Sequence, residues 1–324
     1  MKQIGVWVVL AIWAFLSLDG IGFALSEGYT GRAFAATATV LSLLLLSMLL
    51  FAARGVADKV ADAFGAGSGL FLGVFLFSLY VVYLFGTGTF AFRRIAIMAA
   101  FVFLPLALAM TQKTSVPGSW QDFLTIISVW AFVKFGPSRY LWSYPDNRLA
   151  YVFTVMVSVN LAIAVFLLSR RTKGVGYSIG WAKGWTPYVL GSFFLFCCVA
   201  IPIGMSVHFI AFAPQWAAWA SLLGRSLGIL IFTAWPEELL FRGLLQNLLT
   251  RSSKSELAGW WTSSVLFGLS HITNGHYPNW RYVLLATIAG LFYAWTWRKT
   301  NSIFASATAH AGVDISWHFL FRTF

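Results

Sequence analysis

The sequence predicts an all-α fold: a polytopic helical membrane protein with about ten transmembrane helices. Of its 324 residues, 59% are hydrophobic and only 10% are charged, whereas a soluble globular protein has about 25% charged residues. A helix needs about 20 apolar residues to cross a bilayer, and runs of roughly that length recur along the chain. The predicted spans are 4–25, 33–52, 69–88, 94–111, 149–168, 187–210, 217–249, 257–273, 282–297 and 302–320.

The 16 tryptophans and the net charge of +12 fit a membrane protein. Trp prefers the membrane interface, where its ring is apolar and its N–H is wet. The basic residues fall mainly between apolar runs, as at 170–173 and 298–299. This placement predicts a positive-inside topology with the lipid bilayer as a partner, and it argues against nucleic acid binding.

Orientation is best defined in the C-terminal half. The connection 169–185 carries four Lys or Arg residues and no acid, so we expect it to be cytoplasmic. Counting onwards puts 250–256 and 298–301 inside and 211–216 and 274–281 outside, with Arg281 the exception to the charge rule. The short apolar stretch 120–135 is a span, a re-entrant piece or an interfacial helix, which leaves the N-terminal orientation open. In a bacterium the plasma membrane would be the location.

We divide the chain into an N-terminal transmembrane region at 1–113, a connecting segment with one span at 114–168, and a C-terminal core at 169–324. The first apolar run is longer than the core of a signal peptide and lacks a small-x-small cleavage site, which predicts a retained span. Cys197 and Cys198 are adjacent, so they offer neither a disulfide framework nor metal-ligand spacing.

The first of three polar clusters lies inside the long run 217–249. Pro236 should kink or divide this helix just before Glu237, because proline removes a backbone hydrogen bond. Each charge at the centre of a membrane helix costs about 2.5–3.5 kcal/mol. Glu238 and Arg242 have i, i+4 spacing with the acid first, the favourable order for a pair. Glu237 lies about 100° around the helix from Glu238, outside this pair, so it is the acid predicted to act in catalysis.

The second cluster ends an apolar run with Phe267 and His271, and the third holds His310 and Asp314. The i, i+4 spacing of His310 and Asp314 puts them on one helical face. Each cluster also has a structural interpretation: an ion pair that locks helices, a histidine bonded to a carbonyl, or a His–Asp couple. Occurring in three of the last four predicted membrane helices, the clusters together favour a functional site.

Peptide hydrolysis is a chemistry that these residue types support. A carboxylate can take a proton from water, and a neighbouring histidine can position that water. A second histidine that carries a proton can bind the oxyanion. An ionised aspartate only accepts hydrogen bonds, so Asp314 is predicted to orient His310 rather than to bind the oxyanion directly.

The three clusters, in this order, resemble those of the CPBP family of CAAX proteases and bacteriocin-processing enzymes, also called the Abi family or type II CAAX endopeptidases. The family pattern is E-E-x-x-x-R, then F-x-x-x-H, then H-x-x-x-N or H-x-x-x-D. This sequence supplies Glu237, Glu238 and Arg242, then Phe267 and His271, then His310 and Asp314. The resemblance covers roughly residues 170–320, and the first 110 residues have no clear counterpart in the family core.

The resemblance implies an intramembrane endopeptidase that works without a metal or other cofactor. Its catalytic residues would be Glu237 and His271, which activate water, and His310 with Asp314, which form the oxyanion region. Glu238, Arg242 and Phe267 would support them. The partner would be a membrane protein or peptide, cleaved near a membrane-embedded or lipidated segment. The prenyl-processing branch has Asn where this chain has Asp314, and this departure puts the oxyanion role of that position and a CAAX substrate in question. The oligomeric state is left open.

Two alternatives belong to other classes. A zinc protease would use His271, His310 and Glu237 as ligands, although no H-E-x-x-H motif is present. A non-proteolytic immunity factor, scaffold or transporter would also carry polar clusters at membrane depth. Signatures of aspartyl and rhomboid intramembrane proteases, G-x-G-D and G-x-S-G, are missing from the sequence.

Overall fold

The computed structural model describes residues 2–111, 117–215 and 221–324. About 78% of the residues are helical, and the predicted all-α polytopic membrane fold is confirmed. Two compact units form: Gln3–Lys173, and Gly174–Phe324 with Met1–Lys2. The predicted three-part division at 1–113, 114–168 and 169–324 remains a prediction, and its boundary at 113/114 lies outside the described residues.

The N-terminal unit is a set of helices linked by short turns. After a two-residue strand β1 (Lys2–Gln3), the helices are α1 (Val6–Ser26), α2 (Gly31–Phe51), α3 (Val56–Phe64) with a 3₁₀ turn (Gly65–Gly67), α4 (Ser68–Thr87), α5 (Phe92–Met110), α6 (Trp120–Phe135), α7 (Ser138–Leu141) and α8 (Ala150–Ala162), which continues as a π-helix (Ile163–Ser169).

Helix α8 lies at the centre of the N-terminal unit. The side chain of Asn160 is fully buried and donates to Leu44 O at 3.1 Å and Met156 O at 2.8 Å. At the far end of this helix, Arg170 pairs with the buried Asp122 at 3.1 Å. Because Asp122 also closes a capping box with Ser119, the start of α6 and the end of α8 are held together.

The C-terminal unit carries all seven predicted site residues. Its elements are β2 (Gly180–Trp181), a 3₁₀ turn (Lys183–Trp185), α9 (Thr186–Ser206), β3 (Ile210–Phe212), a long helix described below, α13 (Glu256–Leu269), α14 (Trp280–Thr300), α15 (Ile303–Leu320) and β4 (Phe321–Thr323). Strands β3 and β4 pair antiparallel, with Ala211 opposite Arg322.

The long helix runs without a break from Leu222 to Ser253. It comprises α10 (Leu222–Ile229), a π-segment (Leu230–Ala234), α11 (Trp235–Glu238), a second π-segment (Leu239–Gln246) and α12 (Asn247–Ser253). The alternative of two separate helices at Pro236 is therefore wrong. Wider π-turns flank the proline and accommodate its ring and its missing N–H within a continuous helix. The first residues of the predicted span 217–249 lie outside the described residues.

Small residues let α13 and α14 approach closely. A Cβ on Gly268 would collide with the side chain of Thr287 and lie 2.7 Å from Val283 O. A Cβ on Gly290 would lie 3.1 Å from the Cα of Ser264. Membrane helices pack most closely at such positions, and here that contact brings the end of α13, which leads to His271, against the start of α14.

Six helices in the described parts of the chain are long and apolar enough to cross a membrane. They are Val6–Ser26, Gly31–Phe51, Val56–Thr87, Phe92–Met110, Ala150–Ser169 and Lys183–Ser206. The described parts of the last four predicted spans also contain helices, of which α13 has only 14 residues. The total of about ten spans, like the membrane position of α6, remains a prediction.

Candidate active site

Glu238 and Arg242 form an ion pair that is completely shielded from solvent. Arg242 Nε donates to Glu238 Oε2 at 3.2 Å, and both side chains are 0% exposed. Ser306 Oγ donates to the same oxygen at 2.5 Å, while Oε1 faces His310 Nδ1 at 3.0 Å. Three neighbours therefore contact the Glu238 carboxylate and engage both of its oxygens, so this acid organises the site and is poorly placed to take up a proton.

Glu237 has a different environment from the adjacent glutamate. Its side chain is 27% exposed, and its Oε2 lies 3.9 Å from His310 Nε2. The two acids diverge because successive residues of a helix point about 100° apart. As a result Glu237 is the more accessible carboxylate, and a water molecule can reach it.

His310 is held between acids. Its Nδ1 faces Glu238 Oε1, and its Nε2 lies 3.4 Å from Asp314 Oδ2 on the next turn of α15. The ring stacks on Tyr293 with centroids 4.4 Å apart and planes at 17°. Polar contacts at both nitrogens and a flat aromatic neighbour leave this imidazole a single orientation, with Nε2 towards Glu237 and Asp314.

The ring of Phe267 connects the three clusters. It is only 2% exposed, and the guanidinium carbon of Arg242 lies 4.9 Å from its centroid. The edge-on rings of His310 and His271 have centroids 5.7 and 4.9 Å away. Because an aromatic ring attracts a cation over its face, Phe267 covers the buried ion pair and spaces the two histidines.

His271 lies just beyond the end of α13. Its Nδ1 is 2.8 Å from Phe267 O, and a carbonyl oxygen can only accept a hydrogen bond. Nδ1 therefore carries the proton, and in the neutral ring Nε2 is the acceptor. The ring of Tyr282, from the first turn of α14, packs against it with centroids 4.8 Å apart.

A cavity of about 700 Å³ opens beside these side chains. Asp314 and Tyr282 line it, together with Trp317 from the last turns of α15. This volume is within the range of ligand-binding pockets, about 300–1,000 Å³. It provides a water-accessible volume next to the buried acid–histidine cluster.

The structure thus brings five of the seven predicted residues into one cluster of direct contacts: Glu237, Glu238, Arg242, His310 and Asp314. Phe267 packs against this cluster, and His271 reaches it through the Phe267 ring. In the described parts of the chain, no three His, Cys, Asp or Glu side chains are arranged so that they could hold a metal ion.

Sequence reasoning missed three residues that contact the site. Ser306 bonds Glu238, Tyr293 stacks on His310, and Tyr282 packs on His271. Ser306 is four residues before His310 on the same face of α15, a spacing that could have indicated it. The two tyrosines come from α14, whose sequence has no polar motif pointing towards the site.

The fold and these contacts define a polytopic helical membrane protein with an acid–histidine site buried among the helices of its C-terminal unit. Residues 218–316, about a third of the chain, match the family model described as type II CAAX prenyl endopeptidase Rce1-like. The match agrees with the family resemblance of the three motifs and includes all seven site residues. No curated protein and no solved structure gives a significant match to the chain.

Proposed function

We propose that the protein is a glutamate-dependent intramembrane endopeptidase in which Glu237 is the general base. The observation that carries this proposal is the contrast between two adjacent glutamates. Both oxygens of Glu238 are engaged by Arg242, Ser306 and His310, whereas Glu237 is partly exposed beside His310 Nε2. A base must be able to reach the water that it deprotonates.

In the proposed reaction, a water held between Glu237 and His271 attacks the carbonyl carbon of the scissile peptide bond. Glu237 takes one proton from that water, and the C–O bond forms as the carbonyl becomes an oxyanion. Collapse of this intermediate breaks the C–N bond, and Glu237 returns the proton to the leaving amine. The acceptor nitrogen Nε2 of His271 supports the role in holding water, since Nδ1 is committed to Phe267 O.

His310 is proposed to stabilise the oxyanion through a proton on Nε2. Glu238 Oε1 lies 3.0 Å from Nδ1 and Asp314 Oδ2 lies 3.4 Å from Nε2, so each ring nitrogen has a hydrogen-bond acceptor beside it. Removing one such donor from an oxyanion site typically costs about 10²–10³ in kcat. Asp314, as an acceptor, then orients His310. The substrate is a membrane protein or peptide whose scissile bond lies near a membrane-embedded or lipidated segment.

The test is to compare membrane proteins from cells that express the wild type with those from cells that express Glu237→Gln. Gln keeps the shape of the Glu237 side chain but cannot act as a base. A new peptide terminus that mass spectrometry detects with the wild type should therefore be lost with Glu237→Gln, because cleavage should be at least about 100-fold slower. Glu256→Gln, an exposed acid far from the cluster, is the matched control and should cleave normally.

Equal cleavage by the wild type and Glu237→Gln would exclude Glu237 as the base. In a second outcome, neither the wild type nor Glu237→Gln produces a new terminus, and the biological activity of the protein persists in Glu237→Gln and His271→Ala. The protein then has a non-proteolytic function, such as transport or immunity. Unfolding in detergent, measured for each variant, shows whether a loss of cleavage reflects a loss of fold.

A further inference from the structure

The helices of the C-terminal unit have two distinct ends. At one of them, Ile303 N donates to Gly176 O at 3.1 Å, and Arg298 donates to Glu256 Oε2 at 2.6 Å. This exposed contact also holds the pKa of Glu256 below its usual range. The connection before α9, the start of α13 and the α14–α15 turn therefore meet, and we call this the basic end.

The other end brings together the segment after α9, the α13–α14 connection and the C-terminal strand. Phe324 N donates to Phe209 O at 3.1 Å, and Arg281 Nη1 donates to His208 O at 3.2 Å. Tyr282 packs between Phe209 and Trp317, with ring centroids about 5.4 Å away on both sides. We call this the pocket end, because the residues lining the cavity come from these segments.

The charges of the two ends differ. Five Lys and Arg residues of this unit lie in connections 174–185, 250–256 and 298–301, which lead to the basic end: Lys183, Arg251, Lys254, Arg298 and Lys299. Three lie at the pocket end: Arg225, Arg281 and Arg322. Positively charged connections of membrane proteins remain in the cytoplasm. The basic end is therefore cytoplasmic, and the pocket end faces the opposite side of the membrane.

The pocket has the lining of a peptide site more than that of a lipid-chain tunnel. Its walls combine aromatic rings, such as Trp280 and Trp317, with the side chains of Asn274 and Asn279. His276 and His318 add polar nitrogens, and Arg225 contacts His318 at 2.8 Å. Apolar walls with a few placed polar groups are typical of ligand pockets, whereas an acyl or prenyl chain would need no such polar groups.

We propose that the active site opens to the non-cytoplasmic side of the membrane and that this pocket receives an extended peptide segment of the substrate there. The proposal rests on the proposed function and deepens it, because it states from which side the peptide enters. Asp314 joins the two regions: it contacts His310 on one side and lines the pocket on the other. The scissile bond then belongs to an exported or membrane-anchored protein.

Cysteine labelling tests the orientation. In a Cys197→Ser/Cys198→Ser background, a single cysteine is introduced by His276→Cys at the pocket or by Ser252→Cys at the basic end, both exposed positions. Spheroplasts of a bacterial host are treated with a membrane-impermeant maleimide. His276→Cys should be labelled in intact spheroplasts, and Ser252→Cys should be labelled at least tenfold more after lysis. The reverse pattern overturns the proposal, and Thr273→Cys repeats the measurement if His276→Cys does not accumulate.

Cleavage before and after labelling tests whether the peptide uses the pocket. A bulky maleimide on His276→Cys should reduce cleavage by that same variant at least tenfold, while labelled Ser252→Cys retains its own rate. Cleavage that is unaffected by the label at position 276 overturns the pocket as the peptide site. The labelling pattern does not depend on catalysis, so a chain that is labelled as expected but never cleaves a substrate contradicts the proposed function alone.

Discussion

Glu237 and Glu238 are adjacent in the sequence, yet their different surroundings suit them to different chemical roles. Both occupy the same helical turn, yet Glu238 is fully buried against Arg242 while Glu237 is partly exposed beside His310. Burying a charge is tolerable only when it is paired and hydrogen-bonded. The buried pair therefore holds the helices of the site, and its neighbour is available for proton transfer.

Glu238→Gln should destabilise the protein strongly, because it leaves the buried Arg242 without its anionic partner. Breaking a buried pair in this way costs about 3–5 kcal/mol. Thermal unfolding in detergent should show a clearly lower transition for Glu238→Gln and an almost unchanged one for Glu237→Gln. Equal stability of the two variants would show that the Glu238–Arg242 contact contributes little to the fold.

Asp314→Asn tests how this position supports catalysis. Asn can still accept a hydrogen bond from His310 through Oδ1 and can also donate through Nδ2 to an oxyanion. Cleavage by Asp314→Asn should therefore stay within about tenfold of the wild type. Asp314→Ala has no acceptor to orient His310 and should lose about 100-fold in kcat, the typical cost of misplacing a catalytic group. A strong loss in both variants would mean that the charge of Asp314 is itself required.

At the scale of elements, the site depends on the close contact between α13 and α14. Gly268 lies against Val283 and Thr287 of α14, and His271 follows it by three residues. His271 in turn packs on Tyr282 of α14. Any change that separates these helices therefore moves a proposed catalytic histidine as well as weakening the packing.

Gly268→Ala should lower stability and cleavage together. The new methyl group has no room beside Thr287, and such overpacking costs about 1–3 kcal/mol. Gly228→Ala is the matched control: it also lies in a helix of this unit, has nothing within 4 Å of the added Cβ, and should be neutral or stabilising, as Ala is the better helix former. If Gly268→Ala is as stable and active as Gly228→Ala, the spacing of α13 and α14 is not critical.

At the scale of the whole molecule, the site lies in the C-terminal unit, and the N-terminal unit is a separate compact set of helices. The contacts described above for the acid–histidine cluster come from the long helix, the end of α13, α14 and α15. The chemistry that we propose uses only side chains of this unit.

Strong chelators should leave cleavage by the purified full-length protein unchanged. In the described parts of the chain no three suitable side chains are arranged to hold a metal ion, and the ring nitrogens of His310 already face two carboxylates. Activity measured after dialysis against a chelator, with and without added Zn²⁺, checks this. Loss of cleavage that Zn²⁺ restores would favour the zinc protease alternative.

The sequence by itself determined the membrane class and the three motifs. Composition alone requires lipid as the solvent, because so few charged residues cannot cover the surface of a soluble protein of this size. Helical spacing also determined that Glu238 can reach Arg242 and that His310 can reach Asp314, since residues four apart share a face. These relations are local and follow from the geometry of one helix.

Only the tertiary structure decided which residues from different helices meet. Tyr293 and Ser306 contact the site, and the long helix passes through Pro236 without a break, because packing and π-turns override a local preference. The opening of the pocket beside Asp314 likewise depends on three segments far apart in the chain. Spacing along one helix cannot specify such contacts, as they depend on how several helices cross.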